Sequence, residues 1–266
     1  LLLRLEDWLK DATTALSEVA EQPRSEARRL VELACGWDAV HQISEPNALI
    51  TREQFEILNS LIARRQADEP LSRILGRREF WGLDLSIRGA TLDPRADTET
   101  LIELALETCG TRHPTSILDL GTGSGAILLA LLNEYPSAQG LGLDQNAETI
   151  RTAESNSAAL GLSGRARFAV SDWMSGLTER FDLIVSNPPY IPTQDLADLD
   201  RNVRAFDDPL ALDGGEDGLH FYRRTLETAA RHLNSGGALG LELGIDQSAD
   251  VTEIARAAGW ILAGER

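Results

Sequence analysis

The stretch Ser186-Asn187-Pro188-Pro189-Tyr190 carries the most informative chemistry in the sequence. Two prolines fix the backbone and leave no N–H at 188 or 189. What remains is a set of acceptors: the Asn187 side-chain oxygen and the Pro188 carbonyl. Tyr190 adds a flat face. Two acceptors can hold both N–H bonds of a planar NH2 group while its lone pair is aimed elsewhere. An amide or conjugated amino nitrogen is a poor nucleophile, because that lone pair is delocalised. Holding it in line with an electrophile, and stabilising the positive charge it acquires, is the catalytic task such a site suits. The plainer alternative is a rigid Pro-Pro turn.

A second constellation lies upstream. Asp119-Leu-Gly121-Thr122-Gly123-Ser124-Gly125 has Gly-x-Gly-x-Gly spacing, where glycines tighten a turn and let a ligand approach the backbone. A dinucleotide fingerprint would want Gly-x-Gly-x-x-Gly, and no Lys follows as in a phosphate loop. Asp144 stands 19 residues after Gly125, where a carboxylate can accept hydrogen bonds from both hydroxyls of a ribose. That fits NAD as well as S-adenosylmethionine; the structural alternative is an N-cap for the helix that follows. Ser171-Asp172-Trp173 offers a carboxylate for an amino edge and an aromatic face for a purine, with core packing as the alternative for Trp173.

These residues need a scaffold that brings them together. From residue 116 on, apolar strand-like runs alternate with helical ones. Strands are predicted at 117–120, 140–143, 166–170, 181–185 and 238–243, with helices at 126–134, 147–160 and 219–233. This βα alternation predicts an α/β fold with a doubly wound, mostly parallel Rossmann-like sheet. Every motif above then falls at the carboxyl end of a strand, where ligands bind in such sheets. Residues 1–72 read as a small helical bundle, with Thr51 to Gln54 as a capping box. Residues 73–92 read as a β-hairpin linker turning at Gly82, and 93–266 as the catalytic domain.

Composition sets limits on the partner. The formal charge is −17, with 42 acids against 25 bases. Up to Ala90 there are 15 acids and 12 bases; after it, 27 and 13. An acidic second part argues against a surface that tracks phosphates. Between Asp195 and Asp217 eight acids face only Arg201 and Arg204. That acidic stretch beside the Asn-Pro-Pro-Tyr turn would repel a nucleic-acid backbone and favour a basic protein loop. No apolar run approaches the ~20 residues of a membrane span. Two cysteines, Cys35 and Cys109, make no disulfide framework and are expected as buried free thiols. His41, His113, His220 and His232 show no metal-ligand spacing, so no metal is expected. The start Leu1-Leu2-Leu3-Arg4 lacks Met and a signal-peptide core, and reads as the trimmed N-terminus of a cytoplasmic protein.

Asp119 to Gly125 together with Asn187 to Tyr190 resembles the class I S-adenosylmethionine-dependent methyltransferases that modify amide or exocyclic amino nitrogens. More narrowly, the sequence is similar to the peptide chain release factor N5-glutamine methyltransferase family. The specific part is Phe80-Trp-Gly82, Asp97-Thr-Glu99 and Asp213-Gly-Gly215. The resemblance implies S-adenosylmethionine as cofactor. Gly121, Thr122, Gly123, Ser124 and Gly125 would line its methionine and ribose, Asp144 would bind the ribose and Trp173 would border the adenine. Asn187 would touch cofactor and substrate amide, and Pro188, Pro189 and Tyr190 would complete a glutamine pocket. The implied substrate is the glutamine of the Gly-Gly-Gln motif of class I release factors, gripped in part by the helical N-domain; no direct nucleic-acid or membrane partner is implied. Ala96 stands where the family usually has a second proline. Gln247–Ala258 is expected as a helix and Trp260–Glu265 as the next strand, with the last antiparallel strand of that fold lacking. The rival readings are a DNA or ribosomal RNA amino-methyltransferase using the same pocket, a non-catalytic nucleotide-fold adaptor, and a dehydrogenase.

Overall fold

The apolar runs of the second half form one parallel sheet, and the helical first part folds on its own core. The computed structural model describes residues 3–89 and 91–266. Leu1 and Leu2 at the start of the chain, and Ala90 at the charge division, lie outside the described residues. The chain divides into two compact units between Gly76 and Arg77.

In the first unit, Leu3–Arg4 (β1) pairs antiparallel with Leu49–Ile50 (β2). The helices are Leu5–Ala15 (α1), Pro23–Cys35 (α2), Ala39–Ser44 (α3), Arg52–Gln66 (α4) and Leu71–Leu75 (α5). Apolar residues three and four apart give each long helix one buried stripe: Leu5, Trp8 and Leu9 on α1, Ala27, Leu30 and Val31 on α2, Leu58, Leu61 and Ile62 on α4. Those stripes meet in a single core. The capping box is present. Thr51 Oγ1 accepts from Gln54 N at 3.2 Å, and Gln54 Oε1 accepts from Thr51 N at 3.0 Å. Gly36 ends α2 at φ 71°.

The second unit opens with the hairpin Arg77–Phe80 (β3) and Leu83–Ser86 (β4). Its two-residue turn, Trp81-Gly82, has φ of 51° and 71°, the positive values a twisted hairpin requires. Trp81 is held there: its backbone N–H donates to Glu99 and its indole N–H to Glu134. Glu99–Cys109 (α6) follows.

The sheet comprises Ser116–Leu120 (β5), Gln139–Asp144 (β6), Ala166–Val170 (β7), Phe181–Ser186 (β8) and Leu233–Leu241 (β9), interleaved with Ala126–Glu134 (α7), Ala147–Ala159 (α8), Arg201–Phe206 (α9) and His220–Thr228 (α10), and followed by Ser248–Ala257 (α11). Its order is β7-β6-β5-β8-β9 with every pairing parallel. The chain therefore winds one way from β5 and the other way through β8, which opens a crevice at the carboxyl end of β5. Residues 126–132 of α7 are all buried, as befits a helix covered on every side. The expected α/β doubly wound fold is what forms.

Four expectations need correction. The strand expected at 238–243 begins at Leu233 and ends at Leu241, and the run 219–233 is not one helix. Regular turns end at Thr228, where the Thr225 and Thr228 hydroxyls bond back to carbonyls four residues earlier, and Ala229–His232 tightens to a 3-10 turn. Trp260–Glu265 forms no strand; Trp260 Nε1 bonds Leu226 O, and the segment is anchored by side chains rather than by a ladder. Cys35 and Cys109 are half-buried rather than enclosed, and burial raises the Cys35 thiol to about 11.

Candidate active site

The turn after β5 is built by glycines at φ 70°, 57° and 83°, at Gly121, Gly123 and Gly125. A left-handed backbone repeated at alternate positions is open only to glycine at little cost. The N–H groups of Gly121 and Thr122 both donate to Leu143 O, tying the turn to β6. Asp119, fully buried at the end of β5, accepts from Thr122 Oγ1 at 2.7 Å. Burial raises its carboxyl to about 7, and its Oδ1 is buried with no hydrogen-bond partner.

Asp144 ends β6. Its Oδ2 accepts from Gly123 N at 3.1 Å and its Oδ1 from Asn146 N at 2.9 Å. Asp144 is therefore not the cap of α8. That role belongs to Asn146, whose side chain accepts from Glu148 N. Burial raises the Asp144 carboxyl while the backbone N–H bonds oppose the rise.

The turn glycines and Asp144 share one open cleft, with a cavity of about 100 Å³, across the carboxyl ends of β5, β6, β7 and β8. Gly121, Gly123, Asp144, Trp173, Asn187 and Pro189 all line it. Thr122 and Ser124 are nearly fully buried, so their side chains face inward and only their backbone belongs to the turn. Gly125 packs beside Leu129 and Ala153. Trp173, at φ 57°, donates from Nε1 to Thr225 and stacks on Phe221 at 4.8 Å. It serves the core and the cleft wall at once. Asp172 is engaged by Arg224 at 2.7 Å, which lowers its pKa. The cleft also takes in Asp208, Leu210 and Phe221, which no spacing in the sequence singled out.

Ser186 Oγ donates to Leu120 O, tying the end of β8 to β5 just before Asn187. Asn187 donates from Nδ2 to Thr98 Oγ1 at 3.2 Å, which turns its Oδ1 away from that partner. Pro188 is buried and Tyr190 half-buried, with burial raising the Tyr190 phenol. The backbone beyond is clamped by the Leu212–Gly218 segment. Ile191 N donates to Leu212 O, Gly214 N to Ile191 O and Thr193 N to Gly215 O. A β-carbon at Gly214 would lie 2.8 Å from Tyr190 Cα, and one at Gly218 would lie 2.4 Å from Tyr190 O. Those two glycines are what let the segment press against the Asn-Pro-Pro-Tyr turn. Gln247 closes the clamp by donating to Tyr190 O at 2.9 Å.

Residues 95–203 match the Methyltransferase small domain, and residues 7–76 the PrmC N-terminal domain. Over 242 residues the chain is 47% identical to the release factor glutamine methyltransferase of Rhodospirillum rubrum, spanning 90% of this chain and 73% of that protein. The chain belongs to the release factor glutamine methyltransferase family. A second member, from Caulobacter vibrioides, is 42% identical over 95% of this chain and 86% of its own length. The fold of this family member is shared with the hMettl16 catalytic domain, solved in complex with the MAT2A 3'UTR hairpin 6, at a TM-score of 0.55 and 19% identity over 66% of this chain and 67% of that one.

The site fits the cofactor of such enzymes. The glycine turn leaves backbone exposed at the cleft floor, and Asp144 is pre-oriented by two N–H groups with lone pairs left for a diol. Among the described residues, no cluster of His, Cys, Asp or Glu is placed to hold a metal ion.

Proposed function

We propose that this protein transfers a methyl group from S-adenosylmethionine to the side-chain amide nitrogen of the glutamine in the Gly-Gly-Gln motif of class I peptide release factors. The supporting observation is that Asn187 belongs both to the cofactor-type cleft and to the Asn-Pro-Pro-Tyr turn. In a family defined by release factor glutamine methylation, that shared residue joins donor and acceptor sites.

S-adenosylmethionine supplies an electrophilic methyl on a sulfonium. The protein supplies position and charge. Gly121 and Gly123 would allow close approach to the backbone, Asp144 would bind the ribose hydroxyls and Trp173 would border the adenine. Asn187 Oδ1 and the Pro188 carbonyl accept the two N–H bonds of the substrate amide, so its lone pair faces the methyl. Both acceptors also stabilise the positive charge that grows on nitrogen. Pro189 holds the turn and Tyr190 packs on the amide plane. The proton leaves to water after transfer. The helical first unit grips the release factor, and the work takes place in the cytoplasm.

Mass spectrometry of a release factor incubated with the enzyme and S-adenosylmethionine should find one added methyl on the Gly-Gly-Gln peptide. Asn187→Ala should lower the rate by roughly 10²–10³-fold, the range for removing one charge-stabilising partner, with its thermal transition unchanged. Methylation of DNA or ribosomal RNA, with none on release factor, would instead establish the base-modifying alternative.

A further inference from the structure

Glu242 is a lone carboxylate in an otherwise apolar strand end, one residue past β9. Its backbone N–H donates to Ser186 O, which seats it beside Asn187 on the neighbouring strand. Tyr222 anchors it from α10 by donating to the Glu242 carbonyl at 3.0 Å. The side chain turns toward Thr98 and Asn187, and its Oε2 is buried without a hydrogen-bond partner.

Thr98 is the other unexplained residue. It ends the 3-10 turn Ala96–Thr98 that runs into α6; it is buried, its side chain caps no backbone N–H, and its Oγ1 accepts from Asn187 Nδ2. A hydroxyl has one proton. If that proton goes to the Glu242 carboxylate, the hydroxyl oxygen can only accept from Asn187.

We infer that Glu242 and Thr98 are positioning residues that fix which way round the Asn187 amide sits, with NH2 toward Thr98 and oxygen toward the substrate. A carboxylate cannot donate, so the order Asn187 to Thr98 to Glu242 runs one way. A group at 242 able to donate would let Thr98 turn its proton toward Asn187 and admit the reversed amide. Reversed, Asn187 would meet the substrate NH2 with its own NH2, and the acceptor would be lost. The inference rests on the functional reading above for its effect on catalysis, but the amide orientation is a property of the protein alone.

The same logic sets a pH dependence. Burial raises the Glu242 carboxyl; the nearby Thr98 side chain, the charge of Arg95 and the Asn187 side chain oppose the rise, and Asp97 adds to it. Tyr190 also faces it from the turn, and Tyr222 from α10. A protonated carboxyl can donate, so activity falls as pH drops through the Glu242 pKa and is full above it.

Three variants and two readouts test this. Glu242→Gln should lower kcat by about ten-fold or more with KM for release factor within about two-fold, the pattern of lost transition-state alignment. It should also lose the acid limb of the pH profile. Thr98→Ser, which keeps the hydroxyl, should retain wild-type kcat, whereas Thr98→Val should match Glu242→Gln; this pair decides the matter if Glu242→Gln does not fold. Independently of turnover, the Asn187 side-chain NH2 resonance, identified by its loss in Asn187→Ala, should titrate in the wild type and stop titrating in Glu242→Gln. Wild-type kcat in Glu242→Gln or in Thr98→Val, or an Asn187 amide signal blind to pH, overturns the inference. A titrating amide in a protein that does not methylate release factor leaves the inference standing and removes the functional reading.

Discussion

Asp144 reaches the cleft because β6 ends there, and two backbone N–H groups hold its carboxylate in place. Such a pre-oriented carboxylate needs little reorganisation to accept a diol. Asp144→Ala should therefore weaken S-adenosylmethionine binding by roughly 10–100-fold, the equivalent of about 1.5–3 kcal/mol for hydrogen bonds to a charged group, as measured by calorimetry. Unchanged affinity would remove Asp144 from the cofactor site. Residues of this kind were legible in the sequence because each sits at or shortly after the end of a strand: Gly121, Gly123, Asp144, Trp173 and Asn187 share one cleft. Side-chain direction inside the glycine turn was not legible, since spacing does not say that Thr122 turns back to Asp119. Glu242 was missed for a different reason. Its neighbour Asn187 is far away in sequence and comes beside it only once β9 lies along β8. The available signal was a single acid in an apolar run at a strand end.

At the level of elements, period-2 and period-3.6 patterns located most strands and helices to within a residue or two. The failures came where side chains compete with the backbone, as at Thr225 and Thr228, or where side chains rather than a ladder hold the segment, as after Trp260. The clamp on the Asn-Pro-Pro-Tyr turn is the element with most leverage on the site. Gly218→Ala places a methyl 2.4 Å from Tyr190 O, on a residue at φ 74°. The backbone has to move, so stability should fall by about 1–3 kcal/mol, read as a lower denaturation midpoint. The rate should fall more than cofactor affinity does, because Tyr190 is proposed to pack on the substrate amide. Equal rate and stability in Gly218→Ala would show the clamp to be incidental.

For the whole molecule, the charge of −17 is concentrated after residue 90, and the acidic stretch 195–217 adjoins the cleft through Asp208, Leu210 and Ala211. Part of that acidity is spent internally. Asp213 binds Thr193 and Gly215, and Asp217 pairs with Arg223 at 2.6 Å. On the proposed function, the net negative field of this stretch would favour a basic protein loop over a phosphate backbone. With release factor well below KM, the rate should fall as salt rises from low to about 0.3 M, because screening shortens the field's reach to below ~10 Å. A rate indifferent to salt would confine recognition to short-range contacts. The sheet order was legible only as a class, since alternation of strands and helices implies parallel crossovers but not which strand is central.

The contact between Gly218, Gly214 and Tyr190 bears on how portable the substrate turn is. Four residues name the pocket, but its shape is cast by a mould that arrives some two dozen positions later in the chain. Grafting Asn-Pro-Pro-Tyr alone onto another parallel sheet would transfer the letters without the form. A designer seeking to move this amide site, or to widen it for a different side chain, must carry turn and mould together as one cassette, and a library that varies only the turn samples the wrong half of the problem.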